Sequence, residues 1–227
     1  MRIWNTRHVV KIFGAVVFTA VIANASSAAI VWELNPAPRQ HGPAGSSSIT
    51  YTESGFSITA YGFDNNAGIG TPRELFYKDR PPVDGAVEFG LGLNNVPHNE
   101  INAGLQFIQF DFTAMLAAGM MNGEITVGSV QANEAFAIYG SNALGTLGTQ
   151  VGGPFTGLAF DNQSVAIPNF GQFNYYAIVA TQGSVLVISI EADLPVIPEM
   201  NALLPIGALV LLVFATNAWR KRTPRAV

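Results

Sequence analysis

Side chains that carry oxygen crowd the segment just before residue 100 and predict a cation site. Asn94, Asn95, Asn99 and Glu100 offer amide and carboxylate oxygens close together in the chain. Calcium takes about six to eight such oxygens, although asparagine is also favoured in turns that bind no metal. We therefore expect a structural calcium ion at Asn94, Asn99 and Glu100, and no other cofactor.

Catalytic chemistry has less support in the sequence. Glu88, Glu100 and Asp111 lie near enough in the chain to supply the two facing carboxylates of glycoside hydrolysis. The alternative is that they are ordinary solvated acids. Cysteine and the Gly-x-Ser-x-Gly motif are absent, and His41 and His98 are too far apart to form a zinc-binding pair. The sequence favours a protein that is not an enzyme, with a glycoside-active enzyme as an alternative.

Aromatic side chains raise the first alternative, a carbohydrate-binding module with a defined glycan ligand, because aromatic faces stack on sugar rings; the glycoside-active enzyme is the second. Packing in the core or across strands is the commoner role of such residues in sheets. The sequence therefore assigns no sugar-binding residue. The candidates are Trp32, Tyr51, Tyr61, Tyr77, Tyr175 and Tyr176.

Short apolar–polar alternations predict the elements that would position these residues. A period of two is typical of strands, and it occurs at residues 56–61, 124–128, 135–139 and 186–191. Residues 164–167 and 175–180 predict two further strands. Helical spacing never persists over three turns. We expect an all-β fold, an antiparallel β-sandwich of the jelly-roll type.

Three local features refine this expectation. Residues 105–112 alternate with one slip at Phe107-Ile108, which predicts a β-bulge. The bulge would keep one face buried: Leu105, Phe107 or Ile108, Phe110 and Phe112. Residues 113–121 predict a helical turn, followed by a chain reversal at Asn122-Gly123. The glycine-rich residues 140–157 predict loops.

The N-terminus has the three parts of a secretory signal peptide. Arg2, Arg7 and Lys11 precede an apolar run at residues 12–23, and small residues follow it. Cleavage after Ala25 or after Ala29 is compatible with this pattern. We prefer Ala29, so that residues 1–29 are the signal peptide and residues 30–34 begin the first strand of the mature protein.

The C-terminus predicts a membrane anchor. Residues 201–219 contain no charged side chain, and a helix of that length spans roughly the ~30 Å hydrocarbon core of a bilayer. Arg220, Lys221 and Arg222 follow directly and should stay on the cytoplasmic side. The protein is therefore expected to be exported across a membrane and held there, at least for a time, by its tail.

The exported domain, residues 30–197, is acidic. Seven of the 11 basic residues and one of the 15 acidic residues lie in the terminal segments, which leaves 4 and 14, a net charge of −10. Such a domain should not bind nucleic acid. No cysteine is present to form a disulfide, although the domain is exported.

The tail, residues 198–227, resembles that of the PEP-CTERM class of exported bacterial proteins. Pro198-Glu199-Met200, the apolar span and the basic end correspond to the sorting motif, span and membrane stop, with Met200 in place of the usual second proline. The resemblance implies processing by an exosortase-like protease in a Gram-negative bacterium that makes extracellular polysaccharide.

The exported domain resembles discoidin-like or galactose-binding-like jelly rolls at residues 136–142, 175–179 and 185–190. Such sandwiches carry many different functions. Together the two resemblances imply a non-enzymatic protein of the cell surface or extracellular matrix. Its expected partners are the inner membrane, the processing protease and extracellular polysaccharide.

Overall fold

The computed structural model describes residues 28–195 and 212–214. Residues 1–27 of the predicted signal peptide lie outside this part of the chain, as do Pro198, Glu199 and Met200 of the sorting motif. The basic stop, Arg220, Lys221 and Arg222, lies outside it too, as does the predicted span apart from Leu212–Phe214, which are helical. Within the described ranges, no helix has the length and apolarity needed to cross a bilayer.

Ser27–Ile197 form one compact unit, and its described part is built almost entirely from strands. One short helix and two 3₁₀ turns interrupt them: α1, Thr113–Ala117, and the turns at Pro97–Asn99 and Leu158–Phe160. The strands are β1 Ala29–Glu33, β2 Gly42–Pro43, β3 Ser48–Glu53, β4 Phe56–Asn66, β5 Ile69–Pro72, β6 Leu75–Asp79, β7 Phe89–Leu93, β8 Ile101–Asn102, β9 Gln106–Asp111, β10 Met121–Gly128, β11 Ala135–Ser141, β12 Thr149–Thr156, β13 Gln163–Ala166, β14 Tyr175–Gln182 and β15 Ser184–Asp193.

These strands form two antiparallel sheets that enclose one large apolar core, so the fold is a β-sandwich as predicted. The first sheet has the order β13-β10-β15-β7-β6-β2, with β1 and β8 also paired to β15. The second has the order β12-β11-β14-β9-β4-β3, with β5 paired to β4. Both sheets contribute to the core, for example Val187 and Ile190 from the first and Phe110, Phe136 and Ile178 from the second.

The predicted strands are present, and their alternation places most of the expected side chains correctly. Ile58 and Ile125 face the core. In β15 the alternation is broken, because Thr126 pairs with Ser189 whereas Val127 pairs with Val187. The residue between them, Ile188, bulges out of register and lies against Gly128.

The bulge predicted at Phe107-Ile108 is wrong. The pairing of β9 with β4 runs without a shift from Thr59↔Asp111 to Asp64↔Gln106. Ile108 and Phe110 face the main core, whereas Phe107 packs in a second cluster with Phe63, Leu147, Ala177 and Val179. Both faces of β9 therefore carry buried apolar side chains. For this reason Phe107 and Ile108 are adjacent apolar residues in the sequence, a pattern that a β-bulge would also give. Leu105 is 58% exposed rather than buried.

Two other local expectations need correction. The helical turn at residues 113–117 is confirmed, but Asn122 and Gly123 lie inside β10, where the pairing with β15 jumps from Met121 to Glu124. The glycine-rich segment is not all loop, because β12 occupies residues 149–156. Glycines and a proline obscure the alternation in β12, which pairs with β11 at the end of its sheet.

Burial of Phe110 should make it far more important for stability than its neighbour Leu105. Phe110→Ala removes a fully buried ring and should lower the free energy of unfolding by about 3–5 kcal/mol. Leu105→Ala, in the same region but exposed, should change it by about 0.5 kcal/mol or less. Urea denaturation of both variants provides the comparison, and equal losses would contradict the assignment of the core.

Candidate functional site

A buried lysine and two buried glutamates form the most concentrated group of charges among the described residues. Lys78 is 5% exposed, and Glu88 and Glu100 are each 3% exposed. Lys78 Nζ lies 2.5 Å from Glu88 Oε2 and also contacts Glu100 Oε1 directly. The three side chains therefore form an ionic cluster that is closed off from solvent.

Glycines in β7 allow this cluster to form. Lys78 belongs to β6 and pairs with Gly90 of β7, while Glu100 follows the 3₁₀ turn Pro97–Asn99. A Cβ atom on Gly92 would lie 2.1 Å from the carbonyl oxygen of Asn99, and one on Gly90 would lie 2.6 Å from that of Val187. Side chains at these two positions would thus push the turn and β15 away from β7.

Two serines complete the cluster. Ser129 Oγ lies within hydrogen-bonding distance of Glu88 Oε1, at 3.0 Å, and of Glu100 Oε1, at 3.1 Å. Ser184 Oγ donates to Glu100 Oε2 at 2.5 Å. No buried side-chain nitrogen or oxygen in the described part of the chain lacks a hydrogen-bond partner. Every carboxylate oxygen of Glu100 and Glu88 is therefore engaged within the protein.

Glu134 adds a further acid beside the cluster. Its Oε1 accepts a hydrogen bond from the Ser184 backbone N–H at 3.0 Å, and its Oε2 accepts one from Gln131 N–H at 2.9 Å. Burial raises the pKa of Glu134, the two backbone hydrogen bonds oppose the rise, and the charges of Glu100 and Glu88 add to it. The region holds more carboxylates than its single lysine can neutralise.

Of the three acids that suggested glycoside hydrolysis, two lie together in the structure and the third lies apart from them. Glu88 and Glu100 come together, but around the Lys78 ammonium and out of reach of a substrate. Asp111 ends β9 in the other sheet, where its Oδ1 accepts a hydrogen bond from Thr113 N–H at 2.9 Å. The arrangement lacks the open space between two carboxylates that a glycosidic bond needs.

The residues predicted to bind calcium have other contacts. Asn94 Nδ2 donates to Glu74 Oε2 at 2.5 Å, and Asn99 is half-buried in the turn. A cation at Glu100 would have to displace the Lys78 ammonium. Residues 28–195 contain no group of three or more His, Cys, Asp or Glu side chains arranged to hold a metal ion. The calcium site stays a prediction from sequence.

Several of the candidate aromatic residues have structural roles. Trp32 is fully buried and its Nε1 donates to Phe56 O at 3.1 Å. Burial raises the pKa of Tyr51, as does the nearby Tyr77 side chain, and the Tyr51 hydroxyl donates to Leu34 O. Tyr176 is buried and donates to Asn169 O at 2.6 Å.

An open cleft of ≈ 580 Å³ lies where the irregular start of β10 meets β13 and the end of β15. Its walls combine amides, carboxylates, apolar side chains and one aromatic ring, and sequence reasoning did not find it. Asn122 Nδ2 donates to Asp193 Oδ2 at 2.9 Å across it, and Phe170 packs over Gly123. The lining residues are Met120, Met121, Asn122, Gly123, Glu124, Ala166, Ile167, Asn169, Phe170 and Asp193.

No known family model, curated protein or solved structure matches this chain. Its function therefore has to be inferred from its residues and their geometry.

Removing the buried ammonium should destabilise the protein strongly. Lys78→Met leaves two buried glutamates without their cation, and the loss of one partner of a buried pair typically costs about 3–5 kcal/mol. The matched control is Arg73→Met, which breaks the 2.6 Å ion pair with Asp64 at the surface. That change should cost about 1 kcal/mol or less. Urea denaturation of both variants provides the measurement. If Lys78→Met and Arg73→Met lost similar amounts of unfolding free energy, the result would contradict a cluster that is closed to solvent.

The raised pKa of Glu134 predicts a dependence of stability on pH. The folded state holds this proton more tightly than the unfolded state, so the contribution is complete below the ordinary pKa of 4.5 and is lost as pH rises through the folded-state value. From pH 4.5 upward, the stability of the wild-type protein should therefore fall relative to that of Glu134→Gln. Parallel curves of unfolding free energy against pH would contradict this expectation.

Proposed function

We propose that this chain is a non-enzymatic protein of the cell surface or extracellular matrix. The proposal rests on one observation, that the two buried glutamates are fully engaged by other side chains of the protein. Glu88 and Glu100 are bound by Lys78, Ser129 and Ser184 and closed to solvent, which suits a structural role better than catalysis. A rigid β-sandwich, proposed here to be a jelly roll, would then serve as a displayed module.

Export and anchoring are proposed from the sequence of the two ends. Residues 1–29 would be removed as a signal peptide, and residues 201–219 would hold the domain in the inner membrane with Arg220, Lys221 and Arg222 inside. An exosortase-like protease would act at Pro198, Glu199 and Met200, and extracellular polysaccharide would surround the released domain. Ala29 of β1 pairs with Asp193 of β15, and Ala28 O accepts a hydrogen bond from Leu194 N–H. Cleavage after Ala25 would keep both of these contacts.

Deletion of residues 201–227 should move the domain from the membrane fraction to the soluble fraction. The reason is that the apolar span is the one strong anchor left after the signal peptide is removed. Fractionation of cells that express the full and shortened chains provides the measurement. Reversal of Arg220, Lys221 and Arg222 to glutamate should impair retention of the full chain. Membrane association of the shortened chain would refute the anchor.

Carbohydrate binding is the second candidate, and the open cleft favours it. Amides and carboxylates such as Asn122, Glu124 and Asp193 can hydrogen-bond sugar hydroxyls, while the Phe170 ring and Ile167 offer an apolar wall. Small-molecule sites commonly combine apolar walls with a few placed polar groups.

A glycan array with the purified protein tests this second candidate. If the cleft binds sugar, Asp193→Ala should weaken binding by about tenfold or more, since a lost hydrogen bond to a charged group is worth about 1.5–3 kcal/mol. The matched control is Asp79→Ala, which removes an exposed carboxylate outside the cleft. Binding that both variants retain would exclude the cleft as the site. Release of reducing ends from polysaccharide would instead support the glycoside-active alternative.

A further inference from the structure

Lys78 is the one lysine between residues 12 and 220, and it lies in the interior against two carboxylates. Its Nζ contacts Glu88 Oε2 and Glu100 Oε1. Ile101 and Val130, which directly follow two members of the cluster, are fully buried. Burial of an ammonium and two carboxylates is costly, so the surroundings favour any change that removes charge from the interior.

We propose that Lys78 and Glu100 become joined by an amide bond between Lys78 Nζ and Glu100 Cδ, as a cross-link formed after the chain folds. Glu100 is the acyl partner because Ser184 donates to its Oε2, and Ser129 Oγ lies 3.1 Å from its Oε1, where it can donate as the reaction proceeds. Two donors on these oxygens stabilise the negative charge that develops when the carboxyl carbon is attacked. Glu88 also contacts Nζ, but it shares the single Ser129 hydroxyl hydrogen with Glu100 and has no counterpart of Ser184. It is therefore assigned the transfer of protons.

The reaction balances without an outside reagent. The Lys78 ammonium first gives one proton to the Glu100 carboxylate, which leaves a neutral amine beside a carboxylic acid. The Nζ lone pair then forms a bond to Glu100 Cδ. Glu88 accepts a proton from Nζ and passes it to the departing hydroxyl group, so that a Cδ–O bond breaks and water leaves. The products are one amide, one water molecule and Glu88 as a carboxylate again, with no oxidation or reduction.

The cross-link would supply the covalent restraint that disulfides give to other exported proteins. The chain has no cysteine, so no disulfide can restrain its unfolded state outside the cell. An amide from β6 to the residue before β8 closes a loop that contains the whole of β7, and it restricts the unfolded chain as a disulfide does. It also replaces a buried ion pair by a neutral bond whose N–H can donate to Glu88.

Trypsin provides a direct test because the domain has so few cleavage sites. The basic residues within residues 28–195 are Arg39, Arg73, Lys78 and Arg80, and Pro81 protects Arg80 from cleavage. Trypsin therefore frees residues 74–78 from an unmodified chain but cannot cut after an acylated Lys78. The full chain would be purified, denatured and digested, with the peptide of residues 40–73 as the internal reference for mass spectrometry.

The wild-type chain should lose the free 74–78 peptide. A second digestion, with a protease that cuts beside aromatic residues, should give a branched peptide that joins Lys78 to Glu100 and is lighter than its two parts by one water. Glu100→Ala and Glu88→Gln should each restore the free peptide. Glu134→Gln keeps the three reacting side chains and should retain the cross-link.

The wild-type digest decides the matter even if a variant fails to fold. Free 74–78 peptide in the same yield as the reference would overturn the proposal, and so would a branch that joins Lys78 to Glu88. Neither result would bear on export, anchoring or sugar binding, because the cross-link concerns the interior of the sandwich alone.

Discussion

A single buried lysine has to neutralise two buried glutamates, and this constraint governs the segments around it. The cost of desolvating three charges is offset only where each has close partners. Here Lys78 contacts both acids, and Ser129 and Ser184 supply the remaining hydrogen bonds. These residues come from β6, the segments before β7 and β8, the end of β10 and the start of β15, so the cluster ties five parts of the chain together.

The same constraint bears on function. Side chains that are saturated by one another and closed to solvent cannot bind a substrate, so the paired carboxylates that suggested hydrolysis are engaged in holding the fold. The chemistry that remains available to outside molecules lies in the open cleft beside Asn122 and Asp193. Next to the cleft, burial raises the pKa of Glu191, which pairs with Glu124 across β10 and β15, and the charges of Glu124 and Asp193 raise it further. Structural charges and exposed polar groups are thus separated in this protein.

The alternation of apolar residues was enough to predict a β-sandwich, because burial of one face imposes a period of two on a strand. It failed where both faces are covered, as at Phe107 and Ile108, and where β15 inserts Ile188 between two paired residues. It also missed β12, whose glycines and proline hide its pattern. The acids Glu88 and Glu100 were noticed in the sequence, but their partners Ser129 and Ser184 are distant in the chain. The signal for the cluster in the sequence is Lys78, the single lysine between Lys11 and Lys221, which directly follows three apolar or aromatic residues.

Accessibility of Lys78 in the native protein tests the central claim most directly. The purified full chain can be treated with an amine-reactive reagent under native conditions, then digested and analysed by mass spectrometry at residue 78. A cluster closed to solvent predicts no label on Lys78 while the chain stays folded, whether its Nζ is still an ammonium or has formed the proposed amide. Labelling of Lys78 at the rate of a free surface amine would show that the cluster is open, and would contradict this account.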